Sequence, residues 1–428
     1  MKIWERDCNE GGAVSFYACL GHAFCSTIPH DDRVTGPWSC PMSGDPSLSS
    51  SASGVRQNET SGGGVSRGRE LLARSQSILL SADFRDGKGG ISRVARTLDE
   101  VVGFSSVLSY DGESSAGDRR VRFCGGNRAR FVAHALPRLH LRVPDLIFCD
   151  HADVSVVPAL LKHKKSRLVI FLHDEEAWGP LTRKRQIGLS KASLLLCNSE
   201  YTRRRFLKSH PEFEAITRSC LLGGVPHAFG KVQHTGPLDP WLLDPRPFAL
   251  FVSRLWREHR YKGHLELIDA FARLQSVEGP RLRLAIVGSG NDVPTIQERI
   301  KARGLGDEVR LFTGVGDALL HEFYKKALFF ILPSIREGFG LVFLEALSCG
   351  KPCIAIRDQP AEEIIEQGVS GYLLDDNWPE TIASALAPIQ RDPEKMRVMG
   401  EGARLRYETH FTREAFRFRF ERALEGLL

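Results

Sequence analysis

Residues 328–358 read LFFILPSIREGFGLVFLEALSCGKPCIAIRD, and this stretch decides the fold. LFFILPS is a continuous apolar run, as expected of a strand covered on both faces. Gly338 and Gly340 then free the backbone to turn closely around a ligand. A helix is expected from about Leu341, and PCIAIRD supplies the next strand. Strand, loop, helix and strand make the repeating unit of a parallel sheet. The first N–H groups and the dipole of that helix form an anion site suited to phosphate. On one straight helix Glu337 and Glu345 would stand ~12 Å apart along the axis and point in different directions. Glu337 is therefore expected on the loop, with Glu345 about a turn inside the helix. One carboxylate can then grip a sugar while the other reaches a ribose, with phosphates between them. A lone pair of glutamates at this spacing is usually a surface acid and a helix acid. The surrounding string gives it weight here.

The same alternation extends in both directions. PFALFVS, RLRLAIVG, EVRLFTG and GYLLDD are further apolar runs of the second half, and SILLSA, SVLSY, DLIFCD, RLVIFLHD and SLLLCNS those of the first. Two doubly wound α/β units in series are expected, facing a cleft into which strand carboxyl ends deliver their loops. The first unit spans residues 77–222 and the second 247–408. The Gly- and Pro-rich segment 223–246 joins them, and residues 409–428 form a closing helix. Residues 1–76 are rich in Ser and Gly and carry no apolar period, so this extension is expected to lack structure.

Composition narrows the classes. The 428 residues carry a net charge of +6, which does not by itself call for nucleic acid. Ten scattered cysteines in so long a chain read as reduced thiols of a cytoplasmic protein. No apolar run approaches a membrane span. Residues 13–25 are only mildly apolar and make a poor signal peptide, and acids within the extension argue against a transit peptide. Basic runs at 162–167, 183–185 and 203–205 would suit an anionic membrane surface or a phosphorylated lipid, although no apolar interfacial helix accompanies them.

Other strand ends carry chemistry. Arg254 follows FALFVS and Lys262 is expected to start the next helix. Two cations converging on a strand end suit a diphosphate, each charge-assisted bond contributing ~1.5–3 kcal/mol. Gly288 and Gly290 follow the strand RLAIV, a weak nucleotide signal taken alone. Gly314 and Val315 close the next strand. In the first unit, Gly89 and Gly90 lie between the first strand and its helix, and His173-Asp174 ends RLVIFL. Ser199, in N-S-x-x-T-R, reads as a helix cap without chemistry.

The string from Ser334 to Pro352 resembles the retaining family-4 glycosyltransferases, whose hallmark is E-x7-E within an EGFG-type loop. The resemblance covers residues 77–428 and is strongest over 248–375. It implies the GT-B fold of two Rossmann-like domains. It also implies that Glu337 contacts donor sugar hydroxyls and Glu345 the ribose, with Gly338, Phe339, Gly340 and Leu341 around the donor. Arg254 and Lys262 would hold the diphosphate, although Ser253 stands where the family usually has glycine. Gly288 and Gly290 would lie near the nucleotide, Gly314 and Val315 near the base. Gly89 and Gly90 would face the donor phosphate across the cleft, and His173 would act on the sugar.

The expected reaction is transfer from a nucleoside-diphosphate sugar, a co-substrate and no resident cofactor, to a hydroxyl of a glycan, lipid-linked or small-molecule acceptor. Retention follows from the resemblance. No metal is expected, since Asp150 and Asp153 have the wrong spacing for a D-x-D. No nucleic-acid partner is expected. The chain is expected in the cytoplasm or at the inner membrane face. Two other readings stand beside this one: a nucleotide-sugar epimerase on the same fold, and an inactive sugar-nucleotide-binding protein.

Overall fold

The computed structural model describes residues 67–85, 89–112, 118–224 and 233–427. Its first sheet consists of β1 (Ser77–Asp83), β2 (Ser106–Asp111), β3 (Val121–Phe123), β4 (Leu146–Cys149), β5 (Arg167–Leu172), β6 (Leu194–Cys197) and β7 (Thr217–Ser219). The second consists of β8 (Phe248–Val252), β9 (Arg283–Val287), β10 (Val309–Phe312), β11 (Phe329–Leu332), β12 (Cys353–Ile356) and β13 (Gly371–Leu374). All pairings between these strands are parallel. The orders are β3-β2-β1-β4-β5-β6-β7 and β10-β9-β8-β11-β12-β13. Each sheet therefore reverses its winding once, between β1 and β4 and between β8 and β11. Ligands of such sheets gather at the carboxyl side of that reversal.

The strands are apolar throughout because both faces are covered. Leu79, Phe148, Val169 and Phe171 enter one core, whereas Ile78, Leu80, Ile147 and Ile170 enter another on the opposite face. The first core is continuous with that of the second domain. The closing helix, Arg413–Leu424, contributes to this continuity. Its Phe420 ring lies 5.8 Å from that of Phe148 and 6.1 Å from that of Phe171, so the end of the chain returns to the first sheet.

Two segments hold more structure than the sequence suggests. Within the extension expected to be unstructured, Arg67–Arg74 is a helix. An isolated helix of that length is unstable in water. Here Leu71 is buried and Arg69 pairs with Glu421 at 3.5 Å, on the closing helix. Residues 1–66 of that extension lie outside the described residues. In the linker, Pro240–Leu243 is helical. Buried Arg283 of β9 fixes it, donating to the carbonyls of Trp241 (2.8 Å), Asp244 (3.0 Å) and Arg246 (2.7 Å). Among the described residues no helix is long and apolar enough to cross a membrane.

Candidate functional site

The second domain assembles its charged residues at the reversal between β8 and β11. Beyond β8, Ser253 and Leu255 donate backbone bonds to Val287 (3.1 Å) and Ser289 (3.0 Å), extending the strand so that it delivers Arg254. The Arg254 side chain is exposed and has no ion pair among the described residues. Gly288 and Gly290 serve this approach. A Cβ at either would come 2.0 Å from the carbonyl oxygen of Ser253 or Leu255. Close packing of two strand ends thus requires these glycines, a reason separate from any contact with a nucleotide. Gly314 has a φ of +69° with open space beside it, and Val315 is half-buried.

Lys262 does not start the next helix as expected but ends the turn Arg257–Lys262, because Gly263 at φ +79° intervenes before the helix His264–Leu274. The Lys262 Nζ lies 2.5 Å from Glu337 Oε2. Both side chains are largely buried. Glu337 sits on the loop after β11, as expected, and its N–H donates to Gln359 Oε1 at 3.1 Å. The two cations share one field. Burial, then Arg254 and Lys262, hold the nearby His259 imidazole down to about 4. Gly340 adopts φ +89° and begins the helix Leu341–Ser348, while Phe339 anchors the loop in the core. A Cβ on Gly338 would come 2.9 Å from the Asp174 side chain, so here the loop lies against the first domain.

Glu345 lies inside the helix, as expected, but its carboxylate is engaged. It is 1% exposed, pairs with Arg93 and accepts from the Tyr324 hydroxyl at 2.9 Å. Burial raises the Glu345 carboxyl above its ordinary range, and Arg93 and Tyr324 oppose that rise. Arg93 belongs to the helix Gly89–Val102 of the first domain. A ribose could reach Glu345 only by displacing this guanidinium. Gly89 and Gly90, at the start of that helix, are both exposed. The preceding Asp86, Gly87 and Lys88 lie outside the described residues.

His173 directly follows β5 and is buried. Its Nε2 lies 2.5 Å from the Asp150 carbonyl oxygen. The Asp150 carboxylate accepts from the Ser81 hydroxyl (2.5 Å) and the Ala82 N–H (2.8 Å), and burial pushes it up to about 7. The His173 carbonyl accepts from Asn198 Nδ2 (2.9 Å) and the Thr202 hydroxyl (3.2 Å). Ser199 caps the following helix through Thr202 N–H, as expected. Asn198 does more than its motif suggested, because the same amide also donates to the Gly338 carbonyl at 3.1 Å. Glu363 of the second domain accepts from the N–H groups of Glu200 (2.9 Å) and Tyr201 (2.8 Å). Asp153 pairs with Arg185. Among the described residues no three His, Cys, Asp or Glu side chains gather as metal ligands would.

Sequence reasoning thus missed Arg93 as a partner of Glu345, and Asn198 and Glu363 as ties between the domains. The sequence carries no local signal for Arg93, whose partner lies 252 residues away.

Residues 241–406 match the family model described as glycosyl transferases group 1. A GDP-mannose-dependent alpha-(1-6)-phosphatidylinositol monomannoside mannosyltransferase of Mycolicibacterium smegmatis is 29% identical, over 76% of this chain and 92% of its own length. An N-acetyl-alpha-D-glucosaminyl L-malate synthase of Bacillus anthracis is 35% identical over 32% of this chain and 35% of its own. Among solved structures, the Anabaena HepE protein in complex with UDP and glucose superposes with a TM-score of 0.65 at 20% identity, covering 82% of this chain and 100% of that one. Sucrose-phosphate synthase from Thermosynechococcus elongatus gives a TM-score of 0.61 at 21% identity, covering 80% and 96%. The structural likeness shows the fold, GT-B.

Proposed function

We propose that this chain transfers a sugar from a nucleoside-diphosphate donor to an acceptor hydroxyl, with retention and without a divalent cation. One observation carries the reading: Arg254, Lys262, Glu337 and the start of a helix meet at the reversal point of the second sheet. Charge develops on the departing diphosphate, and positive potential fixed in advance stabilises it. The two side-chain cations and the helix N–H groups supply that potential without a metal. Glu337, held by Lys262, orients the donor sugar hydroxyls. The acceptor oxygen bonds to the anomeric carbon on the face the diphosphate leaves. The carbon–oxygen bond to phosphate breaks, and the departing phosphate oxygen takes the hydroxyl proton.

His173 acts on the sugar as an acceptor. The Asp150 carbonyl can only accept, so it fixes a proton on Nε2. Only Nδ1 then remains for a sugar hydroxyl, and it accepts. The mannosyltransferase resemblance supports a glycan or lipid-linked acceptor, the latter met at the cytoplasmic membrane face.

The test is incubation with UDP-, GDP- and ADP-sugars in the presence of EDTA, with the anomeric configuration of the product read by NMR. Transfer or slow donor hydrolysis with the donor's configuration kept is the expected result. An inverted product, or turnover restored only by magnesium or manganese, overturns the corresponding part of the reading.

A further inference from the structure

The amino ends of β1 and β2 border an open cavity of about 420 Å³, lined by Gln76, Ser105, Ser106, Arg138 and Arg142. Substrates of parallel sheets gather at the carboxyl ends of the strands. β1 has seven residues, so its two ends stand roughly 20 Å apart. A ligand in this cavity is therefore neither the donor nor the acceptor.

The wall of the cavity carries positive charge without a counter-charge. Arg138 is half-buried, and its guanidinium donates to Ser106 Oγ at 3.0 Å and to the His134 carbonyl at 2.8 Å, both neutral groups. Burial, then the like charges of Arg122 and Arg142, lower this guanidinium from its ordinary value. Arg142 is exposed, and among the described residues neither arginine pairs with a carboxylate. Asp145, close by in sequence, accepts from the Gln76 N–H at 2.8 Å. Ser106 is buried, and its hydroxyl proton has no acceptor among the described residues.

The backbone that holds the two arginines is unusual on both sides. Pro137–Leu141 forms a single π-helical turn, with the Arg142 N–H reaching the Pro137 carbonyl at 3.4 Å. Val143, the next residue, has φ +43°, which a β-branched side chain seldom adopts. Isolated π-turns and strained residues both concentrate at ligand sites. A phosphate supplies what this wall lacks. Its oxygens accept from a guanidinium fork and from a hydroxyl, and charge-assisted bonds of this kind are the strong ones. The neutral Ser105 and Gln76 side chains suit hydroxyl groups rather than a second charge. The volume lies in the range of small-molecule sites and exceeds what a bare phosphate fills.

We propose that this cavity binds a phosphate monoester of a small polyhydroxylated molecule, a sugar phosphate, with Arg138, Arg142 and Ser106 on the phosphate and Ser105 and Gln76 on the hydroxyls. The site goes beyond the donor-site reading and does not depend on it, because none of its residues belongs to the cleft.

Calorimetric titration of the full chain with glucose 6-phosphate, glucose and inorganic phosphate tests this. Glucose 6-phosphate should bind about tenfold tighter than inorganic phosphate, and glucose should not bind. Saturation with glucose 6-phosphate should leave UDP affinity within about twofold. Arg142→Glu should weaken glucose 6-phosphate binding about tenfold or more, and Arg138→Met, which keeps the aliphatic stem, should weaken it too. Lys395→Glu, an equal charge reversal at an exposed position of the second domain, should leave it unchanged. Arg142 is exposed, so its variant should fold. Absence of glucose 6-phosphate binding to the wild-type chain overturns the proposal, and vesicles carrying a phosphorylated inositol lipid that bind instead would assign the phosphate to a lipid. Competition with UDP overturns it by placing the sugar phosphate in the cleft. Equal affinity for inorganic phosphate would leave a bare anion site and overturn the ester assignment. Arg142→Glu that binds like the wild type removes the cavity from the reading.

Discussion

Arg93→Met separates two uses of Glu345. Arg93 and Tyr324 occupy this carboxylate, and on the proposed reading a ribose bound at Glu345 must first displace the guanidinium. A hydrogen bond to a charged partner contributes ~1.5–3 kcal/mol. Arg93 keeps 22% of its side chain exposed, so water recovers part of that loss when the guanidinium swings away. The competition therefore costs a nucleotide about 1–1.5 kcal/mol, and its removal should tighten UDP or GDP binding roughly five- to tenfold by calorimetry. Methionine keeps the aliphatic stem, which limits repacking. The same variant should lose thermal stability, since it leaves a buried carboxylate without its counter-charge. The pH dependence of that loss has a fixed sign. Burial already raises the Glu345 carboxyl in the folded chain, and removing Arg93 raises it further. A raised carboxyl favours folding at low pH and disfavours it as pH rises through the folded value. The stability deficit of Arg93→Met should thus be largest at neutral pH and shrink toward the ordinary glutamate range. Nucleotide affinity that falls, or stays unchanged, in Arg93→Met refutes displacement and makes Arg93 a ligand of the nucleotide or a bystander.

Arg254→Ala and Lys262→Ala should each weaken nucleoside diphosphate binding about tenfold or more, measured by calorimetry. Lys262→Ala should also lower kcat the more, because it strips Glu337 of its counter-ion. Glu337→Gln should reduce turnover by orders of magnitude, roughly a hundredfold, while leaving free nucleoside diphosphate affinity within about twofold, since a free nucleotide has no sugar to hold. Asn198→Asp keeps the shape but cannot donate to the His173 and Gly338 carbonyls. It should lower kcat about tenfold with nucleotide affinity retained, and an unchanged kcat would show that this amide positions nothing.

The fold was legible because parallel strands covered on both faces must be apolar at every position. Leu168 to Leu172 shows this, with side chains alternating between two cores and none of them polar. What stayed hidden depended on distant partners. Arg67–Arg74 has no local reason to be a helix, and its stabilising contact, Glu421, lies at the other end of the chain. Arg283 reads as an ordinary charged strand residue, yet it is buried beneath the linker and binds three of its carbonyls.

The cleft divides in the same way. The order strand, glycine loop, helix is written locally, so Glu337 and Gly340 could be put on their loop from sequence. The residues that join the two halves could not, because their partners exist only once both sheets are formed and face each other. Arg93 meets Glu345, Asn198 meets Gly338, and Glu363 meets the N–H groups of Glu200 and Tyr201. Each of these bonds would otherwise be made to water in an open cleft, so each adds only a small net free energy to closure. Two of the three lie on the loop and helix that carry Glu337 and Glu345. A donor that inserts between the domains must break the Arg93 bond while leaving the Asn198 and Glu363 bonds to hold the acceptor side in register. On the proposed reading the charge-assisted Arg93–Glu345 pair is the bond that a donor exchanges for its own contacts, while the neutral Asn198 bonds beside His173 stay in place.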